Sequence, residues 1–263
     1  MLNPTSRFQS LVTKSGSDID LDRGALLIAA HARPDLDLDF ELSRLDHLAR
    51  RCRSRSASGL LSYLFEECGF LGDKDNYYDA ENSFLDRVLD RRRGIPITLA
   101  VVAIEVGKRI GIKLRGVGMP GHFLLADDTP GSDRWYDAFA GGRALDLAGC
   151  EELFRVVHGP AVPFDRTLLD AVDPRSILAR ILANLRHIFS EQGRSDQLAW
   201  VLRLRSMIPG ISAAELTELA QTEASLGRME EAAEALDHLA ERLGGEVGAN
   251  ARRQAHRLRA KLN

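Results

Sequence analysis

The run Pro96–Ile110 constrains this chain more than any other stretch. Ile97, Leu99, Ala100, Val101, Val102, Ala103, Ile104 and Val106 leave it almost no polar face. A helix apolar nearly all round has to be surrounded, so the pattern predicts a central core helix with other elements packed on most of its sides. Gly94 is expected to end the preceding helix, which Asn82 or Ser83 caps and which runs through Arg92. Pro96 suits a first helical turn, where its missing N–H costs nothing, and Gly111 stops the helix. Three strand-like runs follow: Leu114–Met119, then His122–Ala126 after a Pro120-Gly121 turn, then Arg134–Phe139 after a turn at 129–133. Such short connections favour antiparallel pairing, and a buried helix leading into antiparallel strands is an α+β arrangement.

Helical periodicity also marks Asp20–Ala32, Leu38–Arg51 and Ser58–Glu67. Beyond a proline-punctuated stretch (Pro160, Pro163, Pro174) the chain reads as helix throughout. The expected division is therefore a first domain over 1–165 and an all-α array over 174–263. The array carries an internal repeat. Gly193-Arg194 recurs as Gly227-Arg228, each after a helix (Ile177–Glu191, Ala213–Leu226) and before a second one. Leu198, Ala199 and Leu202 in one copy match Ala232, Ala233 and Leu236 in the other, and Ile208-Pro209-Gly210 closes the first unit. A period of about 34 residues with this helix–turn–helix pattern resembles tetratricopeptide repeats, which stack helix pairs. Two units are fewer than such arrays usually need, so the array is expected to pack against the first domain.

Composition removes several classes. Of 263 residues, 44% are hydrophobic and 28% charged, as in globular rather than disordered chains. The net charge of −3 argues against a nucleic-acid binder driven by bulk positive charge. No apolar run approaches a membrane span, and the first twenty residues lack the apolar stretch of a secretory leader. Cys52, Cys68 and Cys150 are odd in number and scattered without a CxxC, which argues against a disulfide framework or a zinc site and for a reducing, cytoplasmic setting.

The order of a buried helix, a strand opening with His and a strand carrying Asp resembles the papain-like transglutaminase superfamily. The strings NSFLDRVLDRRRGIPITL, GVGMPGHFLL and YDAFAGGRAL are closer still to the bacterial SirB family, in which a transglutaminase-like domain precedes tetratricopeptide repeats. The resemblance covers about residues 20–260 and implies that His122 and Asp137 hold the positions of the family's His and Asp. It also implies a nucleophilic Cys at the start of the buried helix, where the helix N-terminus lowers a thiol's pKa. Gly94-Ile95-Pro96-Ile97-Thr98 has no Cys there. Thr98 is the only nearby hydroxyl. It is weighed as a weak nucleophile, needing an adjacent base, or as a first-turn structural hydroxyl.

The remaining candidates have plainer readings. Arg91, Arg92 and Arg93 precede a positive helix end and are weighed as an anion site or as salt-bridging, apolar-covering side chains. The basic runs Arg50–Arg55 and Arg252–Lys261 read as solvated helix faces, and Cys68 as a packing residue. The glycines at 116, 118, 121, 141 and 142 form no phosphate-binding pattern, and His122, Asp137 and Glu105 have no metal-ligand spacing, so no cofactor or metal is expected. His158, His187, His238 and His256 suggest nothing specific. The expected function is a non-catalytic interaction or regulatory scaffold that takes a protein or peptide partner through the helical repeats, with no nucleic acid and no membrane. The alternative is a hydrolase or acyltransferase of altered chemistry, in which a His122–Asp137 dyad activates Thr98 or water.

Overall fold

A computed structural model describes residues 3–15 and 18–260. Lys261 of the basic C-terminal stretch lies outside the described residues. The chain divides into two compact units, Met1–Ile181 and Leu182–Asn263. The division falls inside one helix, α8 (Pro174–Glu191).

In the first unit α1 (Pro4–Val12), α2 (Leu21–Ala32), α3 (Leu38–Arg51) and α4 (Ala57–Ser62) precede α5 (Leu85–Arg91) and α6 (Pro96–Arg109). α6 is the predicted central helix. Ala100, Val101, Ala103 and Val106 are fully buried, and α2, α3, α4, α5 and the sheet pack around it. Its one strongly polar buried side chain, Glu105, is joined to Arg109 one turn on at 3.0 Å. Arg109 also reaches Asp22 of α2 at 2.6 Å and Asp46 of α3 at 2.7 Å, so a single cation ties three helices together.

Two local expectations are corrected. The helix before α6 does not begin at Asn82 or Ser83. Those residues lie in a 3-10 turn, Ala80–Ser83, whose N-cap Asp79 accepts from the Glu81 N–H, and α5 starts after the extended Phe84. Nor does Gly94 end that helix. Arg92 does, in the left-handed region at φ 54°, with its guanidinium on the Cys68 carbonyl. Gly94 belongs instead to β2 (Arg93–Gly94), which pairs in parallel with β1 (Leu71–Gly72). α4 runs on as a π-helical turn, Tyr63–Glu67, closed by Cys68 N–H on the Tyr63 carbonyl at 2.8 Å.

The main sheet has the order β3 (Leu114–Val117), β4 (Leu124–Asp127), β5 (Trp135–Asp137), β6 (Arg143–Leu145), antiparallel throughout. Val117 faces Leu124, and Leu125 faces Tyr136. Leu124 and Leu125 point to opposite faces, as strand neighbours must, yet both are fully buried. One face meets α6. The other packs Val117, Met119, Leu124, Trp135 and Leu145 on Cys150 and Phe154 of α7 (Leu147–His158). The second strand starts two residues later than its pattern suggested, leaving His122 in the preceding turn.

The second unit holds the end of α8 with α9 (Ser195–Ser206), α10 (Ala213–Ser225), α11 (Met229–Leu243) and α12 (Gly245–Arg259), packed in sequence from α9 onward. The two expected repeat turns share one geometry. Gly193 and Gly227 have φ of 64° and 76°. Arg194 N–H returns to the Phe189 carbonyl and Arg228 N–H to that of Glu223, both at 2.9 Å. This six-to-one bond with a left-handed glycine closes a helix C-terminus and aims the next helix back along it. No helix among the described residues is long and apolar enough to cross a membrane.

Candidate functional site

Met119-Pro120-Gly121-His122 forms a tight turn between β3 and β4. His122 N–H returns to the Met119 carbonyl at 3.0 Å, and Gly121 has φ of 73°. Proline at the second position and a left-handed glycine at the third are the type II pattern. A Cβ on Gly121 would also lie 2.4 Å from Val157 Cγ1. Two side chains hold the turn through its carbonyls. Arg180 of α8 donates from Nη2 to the His122 carbonyl at 2.7 Å and to that of Met119 at 3.3 Å. His158, tilted over Phe154, places Nε2 3.0 Å from the Pro120 carbonyl.

Asp137 closes β5. Its Oδ1 accepts the N–H groups of Phe139 at 3.0 Å and Ala140 at 3.1 Å, an Asx turn that fixes the carboxylate. The structure brings His122 and Asp137 together, with His122 Nε2 3.1 Å from Oδ1. The approach is off the line of a directed hydrogen bond, so Nε2 has no well-aligned acceptor among the described residues. Burial pushes the Asp137 carboxyl up, but His122 and the two backbone N–H groups outweigh it and hold it below its ordinary value. Asp137 is thus an ionised, fixed carboxylate beside one imidazole nitrogen, the arrangement that orients a histidine and stabilises its protonated form.

The start of α6 is filled differently. Pro96, Ile97 and Thr98 are buried. Thr98 Oγ1 donates to the Asn82 carbonyl at 2.7 Å and accepts from the Ile95 N–H at 3.2 Å. Its bonds go to the helix start and the 3-10 turn, not to His122 or Asp137. The cysteines stand elsewhere. Cys52 and Cys150 are buried and Cys68 is half-buried, all as free thiols. Burial, with Asp146 nearby, pushes the Cys150 thiol up to about 12, away from nucleophilic character.

Arg91 pairs with Asp73 and Asp79, each at 3.2 Å, which spends its charge inside the fold. No group of three metal-ligating side chains is found among the described residues. Sequence reasoning missed Arg180, which sits on a helix face where a cation reads as solvated. It also missed Tyr77, whose ring meets Phe139 edge-on at 5.7 Å. Gly72 carried the one usable signal. A Cβ there would lie 2.4 Å from the Phe139 ring and 2.7 Å from its carbonyl, so a glycine in that short strand marks close approach to the Asp137 turn.

Comparison with known proteins places the chain in a family. Residues 29–183 match the sequence profile of the transglutaminase-like superfamily. A UPF0162 protein of Xylella fastidiosa (strain 9a5c) is 38% identical over 204 residues, 73% of each chain. Protein SirB1 of Salmonella typhimurium is 24% identical over 197 residues, 72% of this chain and 73% of its own. Human F-box only protein 21 is 30% identical over 148 residues, 53% of this chain but 22% of that protein. No solved structure is a significant match. The profile covers more than half of the chain, including α6, the His122 turn and Asp137, and the chain belongs to the transglutaminase-like superfamily, in its UPF0162 and SirB-like group.

Proposed function

We propose that this protein is a non-catalytic binding and regulatory scaffold, acting in a reducing cytoplasm. In this reading a transglutaminase-like domain without its thiol is joined to a tetratricopeptide-type array that takes a protein or peptide partner. One observation carries it. At the helix start where a nucleophile would stand, Pro96 and Ile97 are buried, and the single Thr98 proton is given to the Asn82 carbonyl. A hydroxyl committed in this way has no base to activate it. The matched turns at Gly193 and Gly227 support the repeat reading, since equal turns at equal spacing stack helix pairs in one direction.

The His122–Asp137 contact favours a second reading, in which His122 activates a water for hydrolysis of an acyl or amide bond. A single comparison separates the two. Wild-type protein and His122→Ala are assayed on a panel of ester, thioester and isopeptide substrates, and both for retention of a bound partner. The scaffold reading expects the same background turnover and the same retention from both proteins. Turnover that disappears with His122 refutes it and establishes the hydrolase.

A further inference from the structure

The guanidinium groups of the first unit divide into two kinds. Arg33, Arg91 and Arg109 each meet carboxylates, and Arg109 meets three. Arg180 meets none. Its Nη2 is spent on the carbonyls of His122 and Met119, and its Cζ lies 5.4 Å from the Phe123 ring centroid. Carbonyl oxygens and an aromatic face hold a cation in place without neutralising it. Burial pulls the Arg180 guanidinium below its ordinary value, opposed by the Tyr77 phenol oxygen when that group ionises. Tyr77 is half-buried itself, raised by burial and by Tyr78 and pulled back by Arg180, so the two side chains lie within each other's field.

A half-buried cation without a counter-ion is costly for a fold to keep, and such groups gather where a ligand supplies the missing charge. Here the surroundings are also built to receive one. Gly118 leaves room for the free end of the fork, since a Cβ there would lie 3.3 Å from Nη1. Tyr77 is held edge-on to Phe139, two residues from Asp137. We infer that Arg180, with the Tyr77 hydroxyl, forms an oxyanion-binding subsite beside the His122–Asp137 pair, for a ligand bearing a carboxylate or a phosphate. Nη1 and Nε of Arg180 donate to the anion, Tyr77 adds a neutral donor, and the same guanidinium holds the His122 carbonyl. Occupancy of the subsite is thereby transmitted to the imidazole. The inference goes beyond the scaffold reading and does not depend on it, because none of these residues belongs to the helical array or serves as a nucleophile.

Sodium acetate and sodium phosphate are the probes, titrated against sodium chloride of matched ionic strength. The readout is the His122 imidazole signal in the NMR spectrum of the full chain. The wild type is expected to show a saturable shift absent in chloride. Acetate alone producing it identifies a carboxylate ligand; phosphate alone identifies a phosphate ligand. Loss of a charge-assisted hydrogen bond weakens binding about tenfold or more, which is expected for Arg180→Gln. Tyr77→Phe, which leaves the turn anchored, is expected to weaken it by a smaller factor of roughly three. If neither anion moves His122 beyond the chloride control, or if Arg180→Gln and Tyr77→Phe both respond like the wild type, the inference is overturned. Hydrolysis assays and partner retention are unaffected by either result, so failure here and failure of the scaffold reading are distinguishable.

Discussion

Glu105→Gln is expected to stabilise the protein at neutral pH and to do nothing in mild acid. Glu105 is almost fully buried in α6, and Asp22 is buried beside it. Burial and the Asp22 charge push the Glu105 carboxyl up from 4.5 to about 7, against the opposing pull of Lys108 and Arg109. Arg109 is shared among three carboxylates and cannot neutralise them all. The folded pKa lies above the unfolded one, so below about pH 4.5 both states hold the proton and Glu105 costs nothing. Between about 4.5 and about 7 the unfolded chain gives up its proton first, and stability falls as pH rises. Above that window the full cost is present. At about 1.4 kcal/mol per pKa unit it is about 3 kcal/mol. Glutamine carries no charge and keeps an amide oxygen for Arg109. Urea denaturation of both proteins across the window measures the difference. It should be near zero at about pH 4 and favour the variant by about 3 kcal/mol at about pH 8. A difference that does not change with pH, or a wild type that is the more stable at about pH 8, refutes the argument and shows that the Arg109 pairing outweighs burial.

Three further outcomes follow from single contacts. Thr98→Val removes the bonds to the Asn82 carbonyl and the Ile95 N–H and should cost about 1–3 kcal/mol in denaturant melts, with the His122 NMR signal unmoved. Gly121→Ala places a methyl group 2.4 Å from Val157 Cγ1 at a left-handed position. It should destabilise by roughly 2–4 kcal/mol and shift the His122 resonance, because the turn must move. Gly193→Ala and Gly227→Ala should each cost about 1–2 kcal/mol, by similar amounts, since the two turns share one geometry. Widely different costs in paired thermal melts would show that the turns are not equivalent.

The central helix, the antiparallel order of the three strands and the Pro120-Gly121 turn were legible in the sequence because each rests on a local rule: a helical run apolar nearly all round, short connections between strand-like runs, and a Pro-Gly pair between two of them. His122 and Asp137 were legible as a pair through the family resemblance, which gives them the places of the family's His and Asp. β1 and β2 were not, since a two-residue strand has no periodicity to read; only Gly72 hinted at a close approach. The left-handed cap at Arg92 was assigned to Gly94 because glycine is the usual occupant, whereas here a guanidinium on the Cys68 carbonyl helps to hold an arginine there. Arg180 was hidden for a different reason. Its partners are carbonyls of a turn some sixty residues earlier in the chain, and main-chain acceptors leave no trace in residue identity.

That last feature bears on how the site can change over evolutionary time. Arg180 and His158 grip the β3–β4 turn by its peptide oxygens, which every amino acid supplies. Met119 can therefore be exchanged for another apolar residue without loosening its anchor to Arg180, while loss of Arg180 frees a turn whose own residues are untouched. Among relatives, the identity of the turn's first residue should drift independently of His122. Arginine at position 180 should instead be kept wherever the turn itself is kept, whichever residue stands at position 122.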